Sequence, residues 1–254
     1  MSFKKALVFL SIMATLTACG DASFDSGSLA LKQVPVEDGK ENQQDAEEDE
    51  VVIDDSEEEE VVVEPEKPED PKTMTLRDKV LMNSDISETA LDNALRFYDD
   101  NVGIIRNKKV ISVFDITKHS GKRRLYVIDT DNGHVSAIHV AHGKNSDKDY
   151  DGVATEFSNT SNSLQSSLGF MLTDTTYQSG KNGYSLKLDG LESRNSNVRK
   201  RYVVIHGADY VSPNRSTMGR SYGCPAVSRA NTNWYINKVK NGSLLYIYHA
   251  DHDG

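Results

Sequence analysis

The strongest constraint on this chain is where its charge sits. Residues 36–70 hold 18 Asp and Glu against only Lys40 and Lys67, a local net of −16. Like charges at that density repel and extend a chain, and the few apolar residues fall in short runs such as Val61-Val62-Val63. Too little apolar surface is available there to offset the entropy of ordering. Pro65, Pro68 and Pro71 stiffen the exit. Residues 19–74 therefore read as an acidic, disordered tether, with a partner- or cation-binding tail as the rival reading. A compact fold is expected only after it. The overall net charge of −10 belongs to that segment, because residues 71–254 carry 24 Lys and Arg against 19 Asp and Glu. So mild a basic excess, without an arginine-rich stripe interleaved with aromatics, argues against a nucleic-acid partner.

The N-terminus reads as an export signal over residues 1–18. Lys4 and Lys5 form a positive start, and Ala6 to Ala18 is an apolar run too short to span a bilayer comfortably. It ends in Leu16-Thr17-Ala18-Cys19, which resembles a bacterial lipobox. That resemblance implies lipidation at Cys19 and a membrane anchor. Gly20, where aspartate would resemble an inner-membrane retention signal, leans the expected location toward the outer membrane, facing the periplasm. The other uses of Cys19 would be an ordinary cleaved signal with a chance cysteine, or a disulfide to Cys224, the second of the two cysteines.

Past the tether the hydrophobic pattern changes twice. Ser87 is a plausible helix cap, and Ala90, Leu91, Ala94, Leu95 and Tyr98 recur at helical spacing. Residues 75–108 are thus expected to be a helical segment packing on the main domain. From residue 109 the pattern is strand-like. Asp131-Asn132-Gly133 between Arg124–Asp129 and His134–Ala141 reads as a hairpin. Tyr184, Leu186 and Leu188 alternate with polar residues, and Tyr202 to His206 and Leu244 to Tyr248 read as apolar strands. Ser228 to Asn241 reads as a helix capped by Ser228 and stopped by Gly242. The expected fold class is mainly β, packed mixed sheets with a few helices.

The chemistry concentrates late in the chain. A strand ending in His206-Gly207 is followed by a polar loop that closes on Gly219-Arg220-Ser221-Tyr222-Gly223-Cys224-Pro225. A thiol becomes a useful nucleophile as thiolate, and an imidazole can supply that change. Gly223 permits close backbone approach, and the amides of Gly223 and Cys224 can point at a developing oxyanion, whereas Pro225 cannot donate. From spacing alone, a cysteine with an upstream histidine remains compatible with chance.

These residues resemble the L,D-transpeptidase catalytic-domain family (the YkuD type), whose signature is His-Gly or His-Ser, a spacer, then Ser-His-Gly-Cys. His206-Gly207 matches the first part, and Ser221, Gly223 and Cys224 the second; Tyr222 stands where the family has its second histidine. Pro225-Ala226-Val227 replaces the usual Ile/Val-Arg, which leaves Arg220 as the substitute for the substrate-binding arginine. A divergent branch is similar along residues 112–248, including Arg124-Leu125-Tyr126-Val127-Ile128-Asp129, Val140-Ala141-His142-Gly143, Ser166-Ser167-Leu168-Gly169-Phe170 and Leu188-Asp189-Gly190-Leu191-Glu192. The resemblance implies a β-sandwich catalytic domain over residues 109–254 that acts on peptidoglycan stem peptides. It implies Cys224 as nucleophile, His206 as general base and acid, and Gly207, Arg220, Ser221, Tyr222 and Gly223 around the oxyanion and substrate. A group orienting His206 would be a backbone carbonyl or another residue. Water in place of an acceptor amine would make the enzyme an L,D-carboxypeptidase; a non-catalytic peptidoglycan-binding tether is the reading from another class.

Other motifs read as structural. His142, sharing a strand face with Ile138 and Val140, is expected to be structural or to line the pocket. Asp147, Asp149, Asp151 and Gly152 match the opening of a calcium loop, but Ser158 stands where the closing glutamate belongs. His249-Ala250-Asp251-His252 reads as a frayed tail. The run Ser158 to Ser167 fits a groove lining and an exposed loop equally. No phosphate-binding glycine motif and no His-Glu-x-x-His occurs, so neither a metal nor another cofactor is expected.

Overall fold

The structure, a computed structural model, describes residues 74–253. The signal segment, Cys19 and the acidic tether lie outside the described residues. Two helices come first, α1 (Leu76–Asn83) and α2 (Glu88–Asp100). Thr75 and Asp78 close a capping box on α1, and the Ser87 side chain accepts from the Ala90 amide to start α2. No helix among the described residues is long and apolar enough to cross a membrane.

Nine strands follow: β1 (Val110–Asp115), β2 (Leu125–Asp129), β3 (Val135–Ile138), β4 (Val140–Ala141), β5 (Gly169–Ser179), β6 (Gly183–Gly190), β7 (Val204–Ala208), β8 (Ala226–Ser228) and β9 (Leu244–Tyr248). They form one mixed sheet in the order β3-β2-β1-β9-β5-β6-β7-β8-β4. Helix α3 (Arg229–Val239) joins β8 to β9, and α4 (Ala250–Asp253) ends the chain. The two edge strands, β3 and β4, are consecutive in sequence with only His139 between them. The sheet therefore curls until its edges meet through one continuous stretch, which removes most of the exposed edge.

Alternation along the central strands fills two cores. On β1, Val110 and Phe114 point to the interior of the curled sheet with Leu125, Val127, Leu245 and Ile247. Ile111 and Val113 point the other way, to a second core under Ala90, Leu91 and Ala94 of α2. Phe97 of α2 stacks on Phe170 at 3.9 Å, and Phe170 on Tyr246 at 4.1 Å. Each fully buried side chain of this kind is worth about 1.5–3 kcal/mol.

Arg124 occupies the seam where the sheet does not close. It is fully buried and donates to the carbonyls of Ile116, Lys118 and Val140 and to Nδ1 of His142. Burial pulls its pKa down, and Asp115 and Asp147 oppose that shift.

Several expectations need correction. His134 to Ala141 is not one strand; it breaks at His139, because β3 pairs with β2 while β4 crosses to β8. The strand read as Tyr202–His206 is Val204–Ala208, since Tyr202 has φ 55° and is exposed. The C-terminal His-Ala-Asp-His is no frayed tail. Asp253 pairs with Arg194 at 2.5 Å and accepts from the His249 amide at 2.9 Å, while Phe157 packs on both His249 and His252. The longest strand, β5, escapes sequence reading because a register shift between Thr173 and Thr176 interrupts its alternation.

Candidate active site

Strand β7 carries His206 between two partners: Ser185 on β6 and Ala226 on the parallel β8. Cys224 stands two residues before Ala226, so the return of the chain into β8 brings it beside β7. The free, half-buried thiol receives the Val204 amide at 3.5 Å and faces the Tyr202 carbonyl at 3.7 Å. His206 and Cys224 line one cleft of about 400 Å³ with Gly207, Arg220, Ser221 and Tyr222, so the structure brings together most of the residues expected there. The wall is completed by Lys181 and Asn182 from the β5–β6 turn, by Asp209 and Tyr210, and by Arg229 of α3.

The tautomer of His206 follows from its neighbour. Nδ1 lies 3.1 Å from the Gly207 carbonyl, which can only accept, so Nδ1 carries the proton. Nε2 is left as the acceptor. The expected orienting group is thus the backbone carbonyl of the very next residue. Burial lowers the His206 pKa, the Gly207 bond opposes this, and Arg229 and Lys181 add to the lowering. Burial raises the pKa of the Cys224 thiol, against the Val204 amide and Arg201. Both directions favour the uncharged forms, the neutral imidazole and the thiol.

Ser221 sets the turn that presents the cysteine. Its hydroxyl donates to the Cys224 carbonyl at 2.6 Å and accepts from the Gly223 amide at 3.1 Å, and its own amide donates to the His142 carbonyl at 2.8 Å. That uses the Gly223 amide, which sequence reasoning had assigned to an oxyanion. The amides of Tyr222 and Cys224 make no hydrogen bond among the described residues and are the donors left for that task. Gly223 has φ 112°, and a Cβ there would sit 2.8 Å from the Gln165 carbonyl oxygen. Gly207 is glycine because a Cβ would collide with Thr232 of α3.

Two assignments shift. The Arg220 guanidinium donates to the carbonyls of Lys144 and Asp147 and lies 4.4 Å over the Tyr150 ring, so it braces the 144–151 loop at the cleft edge. Arg201, missed by sequence reasoning, lies behind the cysteine turn, 3.5 Å from where a Cβ at Gly223 would sit, and its charge opposes the rise that burial gives the thiol pKa. The Ser158–Ser167 run wraps around it, leaving Ser166 and Ser167 buried. No spacing in the sequence signals this, because the contacts join positions 34 to 43 residues apart.

His142 lies beneath Ser221, 1% exposed. Arg124 donates to its Nδ1, and its Nε2 donates to Asp147 Oδ2 at 3.1 Å. Desolvation by burial, helped by Arg124 and Arg220, pulls its pKa to about 3. Its place is structural. The ligand atoms of Asp147, Asp149 and Asp151 lie within 4.8 Å of one another. The Asp147 carboxylate, however, already accepts from His142 and from the Asp151 and Gly152 amides, which accounts for the loop's shape.

Among curated proteins there is no match. Solved structures with some likeness include an L,D-transpeptidase from Mycobacterium smegmatis, 14% identical, covering 55% of this chain and 58% of that one with a TM-score of 0.36. An L,D-transpeptidase from Mycobacterium tuberculosis H37Rv is 17% identical, covering 55% and 57% with a TM-score of 0.36. L,D-transpeptidase 3 from Mycobacterium tuberculosis is 15% identical, covering 55% and 61%, also at 0.36. The chain spans less than two thirds of the length of each. The family model described as the L,D-transpeptidase catalytic domain matches residues 82–248, from the end of α1 to the end of β9 and through the whole cleft. By that match the chain belongs to the L,D-transpeptidase catalytic domain family.

Proposed function

We propose that this protein is a peptidoglycan L,D-transpeptidase with Cys224 as nucleophile and His206 as general base and acid. The observation that carries the reading is the pairing, in one cleft, of a free thiol with a histidine whose Nδ1 is committed to Gly207. Nε2 takes the thiol proton as Sγ attacks the carbonyl of the third residue of a tetrapeptide stem. The amides of Tyr222 and Cys224 receive the developing oxyanion. The C–N bond to the terminal D-alanine breaks, its amine takes the proton from His206, and a thioester remains on Cys224. The amine of a second stem then attacks the thioester, loses a proton to His206 and forms the 3→3 cross-link, and the thiol is restored. Lys181 and Arg229 at the cleft suit a substrate that ends in a carboxylate. In this reading lipidated Cys19 anchors the chain at the outer membrane, and the acidic tether lets the enzyme reach the wall from the periplasmic face.

The test is digestion of purified muropeptides by the protein and by Cys224→Ala, with mass analysis of the products. D-alanine release and 3→3 dimers from the wild type alone are expected. Tripeptides without dimers would make it an L,D-carboxypeptidase, and equal activity in the variant would sink the role of Cys224.

A further inference from the structure

The loop that meets the cysteine turn from behind is organised around one arginine. Arg201 is partly buried, and among the described residues it has no carboxylate partner. Its four recorded contacts are to neutral oxygens: the Ser158 and Gln165 carbonyls and the Ser163 and Ser167 hydroxyls. A partly desolvated guanidinium without a counter-anion is costly, so its charge is expected to serve a neighbour. The neighbour is the cysteine turn. A Cβ at Gly223 would lie 3.5 Å from Arg201 Nη2 and 2.8 Å from the Gln165 carbonyl oxygen that Arg201 holds. The chain then runs from Arg201 into Tyr202, whose left-handed backbone (φ 55°) accompanies a carbonyl facing Sγ, and on to Val204, whose amide donates to Sγ. The Tyr202 carbonyl favours the protonated thiol, and the Val204 amide and Arg201 favour the anion.

We propose that Arg201 is a positioning residue of the Cys224 site: its guanidinium clamps the Ser158–Ser167 segment against the cysteine turn and supplies the positive charge that stabilises the Cys224 thiolate. This rests on the reading of Cys224 as the nucleophile. It accounts for the serine-rich run, which provides all four oxygens that hold the guanidinium in place, three of them from serines. Other ionisable groups line the cleft that holds the thiol. Strand β7 brings His206, the loop after it Asp209 and Tyr210, the cysteine loop Arg220 and Tyr222, the β5–β6 turn Lys181, and α3 Arg229. Arg229 is paired with Asp209, Lys181 lies over Tyr222 and Arg220 over Tyr150, which leaves Arg201 as the cation committed to the back of the turn.

The test is the pH profile of iodoacetamide alkylation, followed at the Cys224 peptide by mass spectrometry in the full chain. Arg201→Met is expected to move the midpoint up by about one unit, making alkylation near neutral pH roughly tenfold slower. Arg201→Lys keeps the charge and restores most of the profile. Ser163→Ala and Ser167→Ala loosen the clamp but keep the charge, so their midpoints stay near the wild type. A purely structural arginine predicts the reverse, with the serine variants and Arg201→Lys shifted as far as Arg201→Met. An Arg201→Met profile that overlays the wild type overturns the proposal. Should that variant fail to fold by circular dichroism, the Arg201→Lys and serine profiles decide alone. Alkylation needs no peptidoglycan, so this outcome is independent of the muropeptide assay that judges the transpeptidase reading.

Discussion

The hydroxyl of Ser221 donates to the carbonyl oxygen of Cys224 at 2.6 Å, closing a four-residue turn whose last residue carries the thiol. The Ser221 hydroxyl oxygen also accepts from the Gly223 amide, and the Ser221 amide is tied to the His142 carbonyl. One residue thus ties the cysteine turn to the buried β4 region.

Ser221→Ala removes those side-chain bonds and keeps the backbone anchor on His142. Displacing a reacting atom by about 1 Å can cost a hundredfold, so kcat/KM for muropeptide turnover is expected to fall roughly tenfold to a hundredfold. The melting temperature should drop only slightly. Full activity in this variant would show that the turn holds without the hydroxyl.

Gly223 tolerates no side chain. At φ 112° and with the Gln165 carbonyl oxygen 2.8 Å from a Cβ, Gly223→Ala must move the turn or the serine-rich segment. A loss of about 1–3 kcal/mol is expected by chemical denaturation, together with loss of turnover.

Arg124 closes the seam of the sheet. Arg124→Met keeps bulk but leaves the carbonyls of Val140, Ile116 and Lys118 and Nδ1 of His142 without their donor. Removing one member of such a buried charged network costs about 3–5 kcal/mol, a fall that urea denaturation will read directly.

His142 makes stability depend on acid. Its folded-state pKa of about 3 lies below the ordinary histidine value of 6.5, so the unfolded chain binds the proton more readily. The stability it contributes is fully present above 6.5 and is lost as pH falls toward about 3. Melting temperatures measured across that window should decline, and the decline should be shallower in His142→Gln.

As the proposed general base, His206 sets the acid limb of activity. Burial holds its pKa below 6.5, so the imidazole stays available as a base through neutral pH. The rate of kcat/KM loss should therefore begin below 6.5, and an acid limb centred above 7 would contradict a buried, neutral histidine.

Local patterns were legible where one residue or one period decides the outcome. Ser87 and Ser228 cap the helices expected of them, Gly133 at φ 76° turns the hairpin, and Leu186 and Leu188 alternate inward. The hidden parts answered to distant partners. β5 loses its alternation at a bulge, and His139 interrupts an apolar run only because the sheet curls back on itself.

By itself the sequence determined the β-rich class, the concentration of acidic charge in residues 36–70, and the identity of Cys224 and His206 as a pair worth testing. Periodicity, charge density and residue chemistry are local properties, and they survive without knowledge of the fold. Only the tertiary structure decided which groups serve that pair. It committed the Gly223 amide to Ser221, gave His206 the Gly207 carbonyl, turned Arg220 toward the 144–151 loop and brought Arg201 behind the thiol. Hydrogen bonds and charges act over a few ångströms in space, and curling a nine-stranded sheet makes neighbours of residues that the chain keeps far apart.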